Sequence, residues 1–330
     1  MNRREFLKRS SIAAATGLLA SRGFSLAKAQ EQQTYYMVTF LSGISFWKDA
    51  FRGMQDAAEY LGVEAIYQGE EEYDVTGQVR VLEEVIGTEP DGVLVTVIQA
   101  DALLPTINTA VDNGLPIITF DSDSPLSKRY QFLGTGNYSA GVMAARYVGP
   151  LVGAGKAAVV TVPTQNNLAQ RTQGFLDTLT AEFPEVVSGD SFIVDNQNTS
   201  EGAASGLAAL LQAEPDIKGV FSSNAQAAIG AASALREAGL SESVAHIGFD
   251  FDAGTLDLID SGALGATLAQ GTWQMGFWGL LGAYMVRNQM IESVGDWQAA
   301  GISPLPPNVD TGVVVITQEN SQFWRPLTEL

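Results

Sequence analysis

The sequence predicts an α/β protein built as two doubly wound parallel-sheet lobes joined by a multi-strand hinge. Three observations predict it. Short apolar and β-branched runs alternate with amphipathic helical stretches along nearly the whole chain, the pattern of consecutive βα units. Two of these runs, LPIITFDSD (Leu115 to Asp123) and VAHIGFDFD (Val244 to Asp252), stop abruptly at Phe-Asp. Ligands of open α/β sheets sit outside the carboxyl ends of the strands, so each of these acids is aimed at a crevice, and two similar lobes would share one cleft. Finally, no Pro-, Gly- or Ser-rich linker divides the halves, and a border made only of short crossings is the geometry of a hinge. With 330 residues and 46% hydrophobic content the chain can bury two cores.

The elements follow in order. YYMVTFL (Tyr35 to Leu41) is a first strand, and Phe51, Met54, Ala58 and Leu61 mark one core-facing helical stripe that ends at Gly62. Val63 to Tyr67 is strand two, and a helical face follows at Val75, Val79, Leu82 and Ile86. Val93 to Val97 is strand three, Leu103 to Val111 a helix, and the Asp121 run strand four. After a short strand near Phe132 and a small-residue helix through Val152, Ala157 to Val162 opens the second lobe. There helices at Arg171 to Glu182, Ser200 to Leu211, Gln226 to Ala238 and Thr255 to Ser261 alternate with strands at Ser191, Val220, Val244 and Ala266. The helix Trp273 to Asn288 returns to the first lobe, and Thr311 to Thr317 is a last strand. The expected division is 34–136 plus 271–305 for the N-terminal lobe, 137–270 plus 306–317 for the C-terminal lobe, and 318–330 as a polar, aromatic tail.

Residues 1–29 stand apart. Arg3-Arg4 followed by Phe6-Leu7-Lys8, a modest apolar stretch from Ile12 to Ala20, and Ala27-Lys28-Ala29 resemble a twin-arginine export signal, cleaved after Ala29. This segment holds six basic residues and one acid. Subtracting them from 18 and 37 leaves 12 basic against 36 acidic residues, a formal charge of −24. Such a charge repels nucleic acid and anionic lipid. The absence of cysteine excludes disulfides, thiolate metal sites and a lipidated Cys. No stretch is long and apolar enough to span a membrane. The expectation is an exported, periplasmic protein that is not membrane-embedded.

Enzymatic chemistry is poorly supplied. The one histidine, His246, lies on an expected buried strand, so neither a His-based triad nor a His-rich metal site can be assembled. Asp121 and Asp250 could imitate a glycosidase pair, but glycosidase clefts usually sit in single-barrel or sandwich scaffolds. The run Asp195-Asn196-Gln197-Asn198 lacks the glycine turn and terminal Glu of a calcium loop, so no metal and no cofactor are expected.

With the two strand ends, ISFWKDAFRGM, NNLAQRTQGF, FSSNAQAAIGA and GALGATLAQ, the chain from about Tyr35 to Thr317 resembles the sugar-type periplasmic solute-binding proteins of ATP-binding-cassette (ABC) importers, ribose-binding protein among them. The resemblance implies a type I periplasmic binding fold and a ligand-binding set of Phe46, Trp47, Asp121, Ser122, Asn167, Arg171, Asn224, Asp250 and Gln270. Phe46 and Trp47 would stack on a sugar ring; if only one of the two faced the cleft it would be Trp47, with Phe46 in the core. Asp121 and Asp250 would accept from hydroxyls, Arg171 would bridge hydroxyls and a carboxylate, and Asn224 would donate and accept.

The family's arginine after the first-lobe Asp is missing, since Ser122 and Asp123 stand there, and no aromatic lies near Asn198 to sandwich the ring; Trp273 is a candidate replacement. Ribose is thus disfavoured against another pentose, a hexose or an open-chain polyol. The implied function is capture of a monosaccharide or polyol and delivery to an ABC permease, by a monomer and without chemistry. Alternatives are a binder of a furanosyl autoinducer, suggested by Glu72 to Gln78, and a sensory module for a membrane receptor. A LacI-like regulator is contradicted by the export signal and the negative charge.

Overall fold

A computed structural model of the chain describes residues 32–44, 46–293, 296–297 and 299–325. The expected export signal and its cleavage point lie outside the described residues, as do the last five residues of the tail.

The first sheet holds β1 (Thr34–Thr39), β2 (Glu64–Gly69), β3 (Gly92–Val95), β4 (Ile117–Phe120), β5 (Gln131–Gly134) and β11 (Asn308–Asp310), in the order β11-β5-β4-β3-β1-β2 with every pairing parallel. The second holds β6 (Lys156–Thr161), β7 (Ile193–Asp195), β8 (Ile217–Ser222), β9 (Ala245–Phe249), β10 (Ala266–Gln270) and β12 (Val313–Ile316), in the order β12-β10-β9-β8-β6-β7, with only β12 antiparallel. The central strands read as unbroken apolar runs because helices cover both faces of each sheet.

In the first lobe α1 (Phe46–Leu61) and α9 (Thr272–Arg287) pack on one face, while α2 (Val75–Gly87) and α3 (Ala100–Asp112) cover the other. The second lobe repeats the arrangement with α4 (Asn137–Val152) and α5 (Asn166–Glu182) on one face, and α6 (Ser200–Ala213) and α7 (Ala225–Glu237) on the other. A short α8 (Ala253–Asp260) precedes β10.

Three crossings connect the sheets: Thr135–Gly136 between β5 and α4, Gly271 between β10 and α9, and Thr311–Gly312 between β11 and β12. The last corrects an expectation. Residues 306–317 do not lie together in the second lobe, because Asn308–Asp310 pairs with Phe132–Gly134 in the first sheet, while Val313–Ile316 pairs with β10 in the second. Pro306 and Pro307 mask this edge strand in the sequence, since neither can donate to a ladder. The stretch is fastened by Arg129, which donates to the Pro307 carbonyl at 2.7 Å and to Asn308 Oδ1 at 3.0 Å.

The tail is not loose through its described part. Ser321 donates to Asp260 at 2.6 Å, the Trp324 ring sits 5.0 Å from Phe251, and Arg325 pairs with Asp257 at 2.7 Å and with Asp260. The tail is therefore part of the second lobe's packing against α8.

Candidate functional site

The two Phe-Asp strand ends are the frame of the site. Asp121 follows β4 with φ 60°, and Asp250 follows β9 with φ 70°. Left-handed backbone is unfavourable for a side chain other than glycine's and persists only where surrounding bonds hold it. Here Asp121 N–H donates to the Leu133 carbonyl and Asp250 N–H to that of Leu268, each at 2.9 Å. Each strand thus makes one further bond to its neighbour and then turns its carboxylate off the sheet edge.

Arg171 enters from α5, the helix that follows β6 in the second lobe. It is 3% exposed, and its guanidinium carbon lies over the Phe249 ring, 3.6 Å from the centroid. Its Nε donates to Asn137 Oδ1 at 2.8 Å, Nη1 to the Ser223 carbonyl at 2.8 Å, and Nη2 to Gln270 Oε1 at 3.1 Å. Gln270, the last residue of β10, also accepts from the Thr135 hydroxyl at 2.6 Å and donates from Nε2 to Asp250 Oδ1 at 2.8 Å. A buried arginine held by neutral oxygens keeps its charge available to nearby carboxylates without a closed ion pair to either.

Electrostatics follow from that arrangement. Burial pushes Asp121 up to about 6, opposed chiefly by the Arg171 charge and the Ser122 hydroxyl, while Asp250 adds to the upward push. Asp250 is raised as well, again by burial first, against Arg171 and the Gln270 amide. Burial lowers Arg171 to about 10, with Asp250 and Asp121 holding it up, so it stays protonated at neutral pH. The site therefore combines two acceptor carboxylates with one fixed cation.

The remaining expected residues divide. Ser122 donates to Asp121 Oδ2 at 3.2 Å. Asn224 is the N-cap of α7, its Oδ1 accepting from Ala227 N–H at 2.8 Å, which leaves its amide hydrogens as the free end, weakly paired with Asn198 at 3.4 Å. Asn167 sits half-buried in the first turn of α5.

Trp47 is a correction. It is 2% exposed, donates from Nε1 to the Phe40 carbonyl at 3.0 Å, and packs edge-on against Phe120 at 5.9 Å, so it belongs to the first-lobe core and has no face for a sugar ring. The helix phase explains it: Trp47, Ala50, Met54 and Ala57 line one buried stripe, and half-buried Phe46 falls beside it. Trp273 is turned elsewhere too. Its Nε1 donates to Asp56 at 2.7 Å and its ring stacks on Phe277 at 4.6 Å, against the first lobe's helices.

Two polar residues of the network, Asn137 and Thr135, escaped the sequence. Both are almost buried, at 8% and 6%, at the crossing from β5 to α4, where an Asn at a helix start reads as a cap. Asp123 also has a distinct task. Arg129 clamps it with bonds of 2.6 and 2.5 Å, and Thr119 donates to it at 2.6 Å, so this carboxylate is consumed in anchoring the first lobe. His246 lies on β9 against Ser222 Oγ at 2.9 Å, with burial lowering it to about 3. Among the described residues no cluster of three metal-ligating side chains occurs, and no helix is long and apolar enough to cross a membrane.

Two α/β lobes, three short crossings and polar side chains gathered from both sheet edges define a bilobal solute-binding protein. The chain belongs to the family described as the periplasmic binding protein domain, whose model matches residues 35–289. It is similar to a xylose/arabinose-binding protein of Sulfolobus acidocaldarius, 25% identical over 321 residues, covering 91% of this chain and 75% of that one. Among solved structures it resembles a sugar-binding protein of a sugar ABC transporter from Bacillus halodurans, 40% identical with a TM-score of 0.84 over 88% of this chain and 100% of the other. An arabinose-binding protein from Geobacillus stearothermophilus gives 39% identity and a TM-score of 0.81 over 88% and 99%. These relatives are binding proteins, not enzymes. The type I fold and the likeness to the ribose-binding group expected above therefore hold.

Proposed function

We propose that the protein captures a monosaccharide or polyol, with pentoses foremost, between its lobes outside the cytoplasm and delivers it to the permease of an ABC importer. The observation that carries the proposal is the matched pair Asp121 and Asp250, ending equivalent strands of the two lobes around one buried arginine. Carboxylates suit hydroxyl donors, and Arg171, with two N–H groups beyond its three protein bonds, suits a ring or hydroxyl oxygen. Phe46 offers the apolar contact, and Ser122, Asn167, Asn224 and Gln270 complete the proposed set. The arabinose- and xylose-binding relatives favour a pentose over a hexose.

Ligand bridging both sheet edges stabilises the closed arrangement of the lobes, since only there do Asp121 and Asp250 share one molecule. An inverted hydroxyl leaves a buried acceptor unpaired, a loss of roughly 1–3 kcal/mol that selects between epimers. Calorimetric titration of residues 30–330 with pentoses, hexoses, polyols and the furanosyl autoinducer tests this. Saturable binding of one sugar or polyol, abolished by Asp121→Ala and by Asp250→Ala, is expected; heat from the autoinducer alone would overturn it.

A further inference from the structure

The network around Arg171 contains side chains that offer little or nothing to a ligand yet hold two of the groups that do, Arg171 and Gln270. Asn137 is nearly buried, and its Oδ1 receives the Nε–H of Arg171 at 2.8 Å. A guanidinium is planar, so the bond at Nε, together with one at each Nη, fixes the plane and thereby the direction of all four Nη hydrogens. Ser223 O and Gln270 Oε1 take one hydrogen each from Nη1 and Nη2. The other two are then aimed by the same plane.

Thr135 does the equivalent for Gln270. An amide can be flipped, exchanging its oxygen and nitrogen. Here Oε1 receives both Thr135 Oγ1–H at 2.6 Å and Arg171 Nη2–H, while Nε2 faces the Asp250 carboxylate at 2.8 Å. Flipping Gln270 would set Nε2 against the donor-only Arg171 and Oε1 against an anion, so Arg171 and Asp250 fix which end faces which, while the Thr135 hydroxyl holds the amide oxygen in place. Thr135 lies in the crossing from β5 to α4 and Asn137 opens the helix after it, while Gln270 ends β10 just before the second crossing. The orientation of the buried cation and of the second-lobe carboxylate is thus written into residues at two of the three crossings.

We propose that Asn137 and Thr135 are positioning residues for ligand binding. From the first crossing and the helix start after it they orient Arg171 and Gln270, and through them Asp250, without touching the ligand themselves. This rests on the sugar-binding role given to Arg171 and Asp250 above, so its test includes a reading that needs no ligand. The nearest competing feature, a groove of about 280 Å³ on the hinge lined by Trp273, Trp324, Arg52 and Asp49, offers no polar pattern that names a ligand.

The ligand-free arm is NMR of the full mature chain labelled with 15N-arginine, with the Arg171 Nε–H resonance assigned by its loss in Arg171→Lys. A sharp, slowly exchanging Nε–H is expected in the wild type and in Asn137→Asp, which keeps the acceptor. A broadened or absent one is expected in Asn137→Ala. The binding arm titrates the best pentose. Losing a hydrogen bond to a charged group corresponds to roughly 10- to 100-fold weaker binding for Asn137→Ala, and about tenfold for Thr135→Val, with Thr135→Ser and Asn137→Asp within about threefold of wild type. In an Arg171→Met background Asn137→Ala should add less than about twofold, because its effect runs through Arg171. A protected Arg171 Nε–H in Asn137→Ala, or an equal loss of affinity with Arg171 already removed, overturns the proposal. If no pentose, hexose or polyol binds wild type, the sugar assignment fails and the Nε–H signal alone decides the positioning role.

Discussion

Asp121 and Asp250 occupy the same place in the two lobes: each follows a strand-terminal phenylalanine, each holds a left-handed backbone, and each donates its amide to a leucine carbonyl of the neighbouring strand at 2.9 Å. Neither conformation serves packing, since glycine would adopt it with less strain. The strain and the buried charge are what a binding site retains at the expense of stability. Asp121→Gly and Asp250→Gly should therefore each stabilise the ligand-free protein, by about 1 kcal/mol or more in urea unfolding, while removing the response to sugar.

The Asp121 contributions to stability and to affinity should run in opposite directions with pH. Asp121 is raised from 3.8 to about 6, so its folded form holds the proton more tightly than its unfolded form. Its contribution to folding is then greatest below about pH 4, and declines as pH rises through the window up to about 6. Sugar hydroxyls need the ionised acceptor, so affinity should climb through that same window. Subtracting the unfolding free-energy profile of Asp121→Asn from that of wild type isolates the effect. The slope left in the variant's affinity belongs to Asp250, which is shifted the same way. His246 adds nothing to the affinity there, because burial holds it near 3; its effect on stability, a loss as pH falls below its unfolded value of 6.5, is common to both proteins and cancels in the subtraction.

The two acids of FDSD, Asp121 and Asp123, should separate cleanly in function. Asp123→Ala leaves Arg129, whose side chain is 7% exposed, without its carboxylate, and should destabilise the fold by roughly 2–4 kcal/mol. Affinity of the folded fraction should stay within about threefold, in contrast with Asp121→Ala. Thermal unfolding together with titration at a temperature well below the transition checks both halves.

Close helix contacts predict a further contrast. A Cβ on Gly276 would lie 1.8 Å from the Ala50 carbonyl oxygen, and one on Gly141 would lie 2.0 Å from that of Arg171. Backbone cannot yield easily, so each change to Ala should destabilise by about 1–3 kcal/mol or more. Only Gly141→Ala pushes on the helix turn that carries Arg171, and only it should also weaken sugar binding, by about tenfold or more when the guanidinium's bonds are displaced.

Much of this site was legible because strand ends announce themselves. An apolar run that stops at Phe-Asp states both the element and the direction of its last side chain, and Arg171 lies one helix beyond β6. Helix phase was harder. Phe46 and Trp47 are adjacent, and only the buried stripe continuing through Ala50 and Met54 assigns Trp47 to the core. Proline hid β11, because Pro306-Pro307 reads as loop, whereas pairing begins one residue later. Asn137 and Thr135 were invisible for another reason: their partners are 34 and 135 residues away, and nothing local distinguishes a network residue from a helix cap.

The most direct measurement is a crystal structure of the mature protein with the tightest-binding pentose. The account predicts one sugar between the lobes, with hydroxyls hydrogen-bonded to Asp121 and to Asp250 and Arg171 still seated on Asn137. A sugar bound outside that cleft, or one touching a single lobe with either carboxylate unengaged, would contradict it.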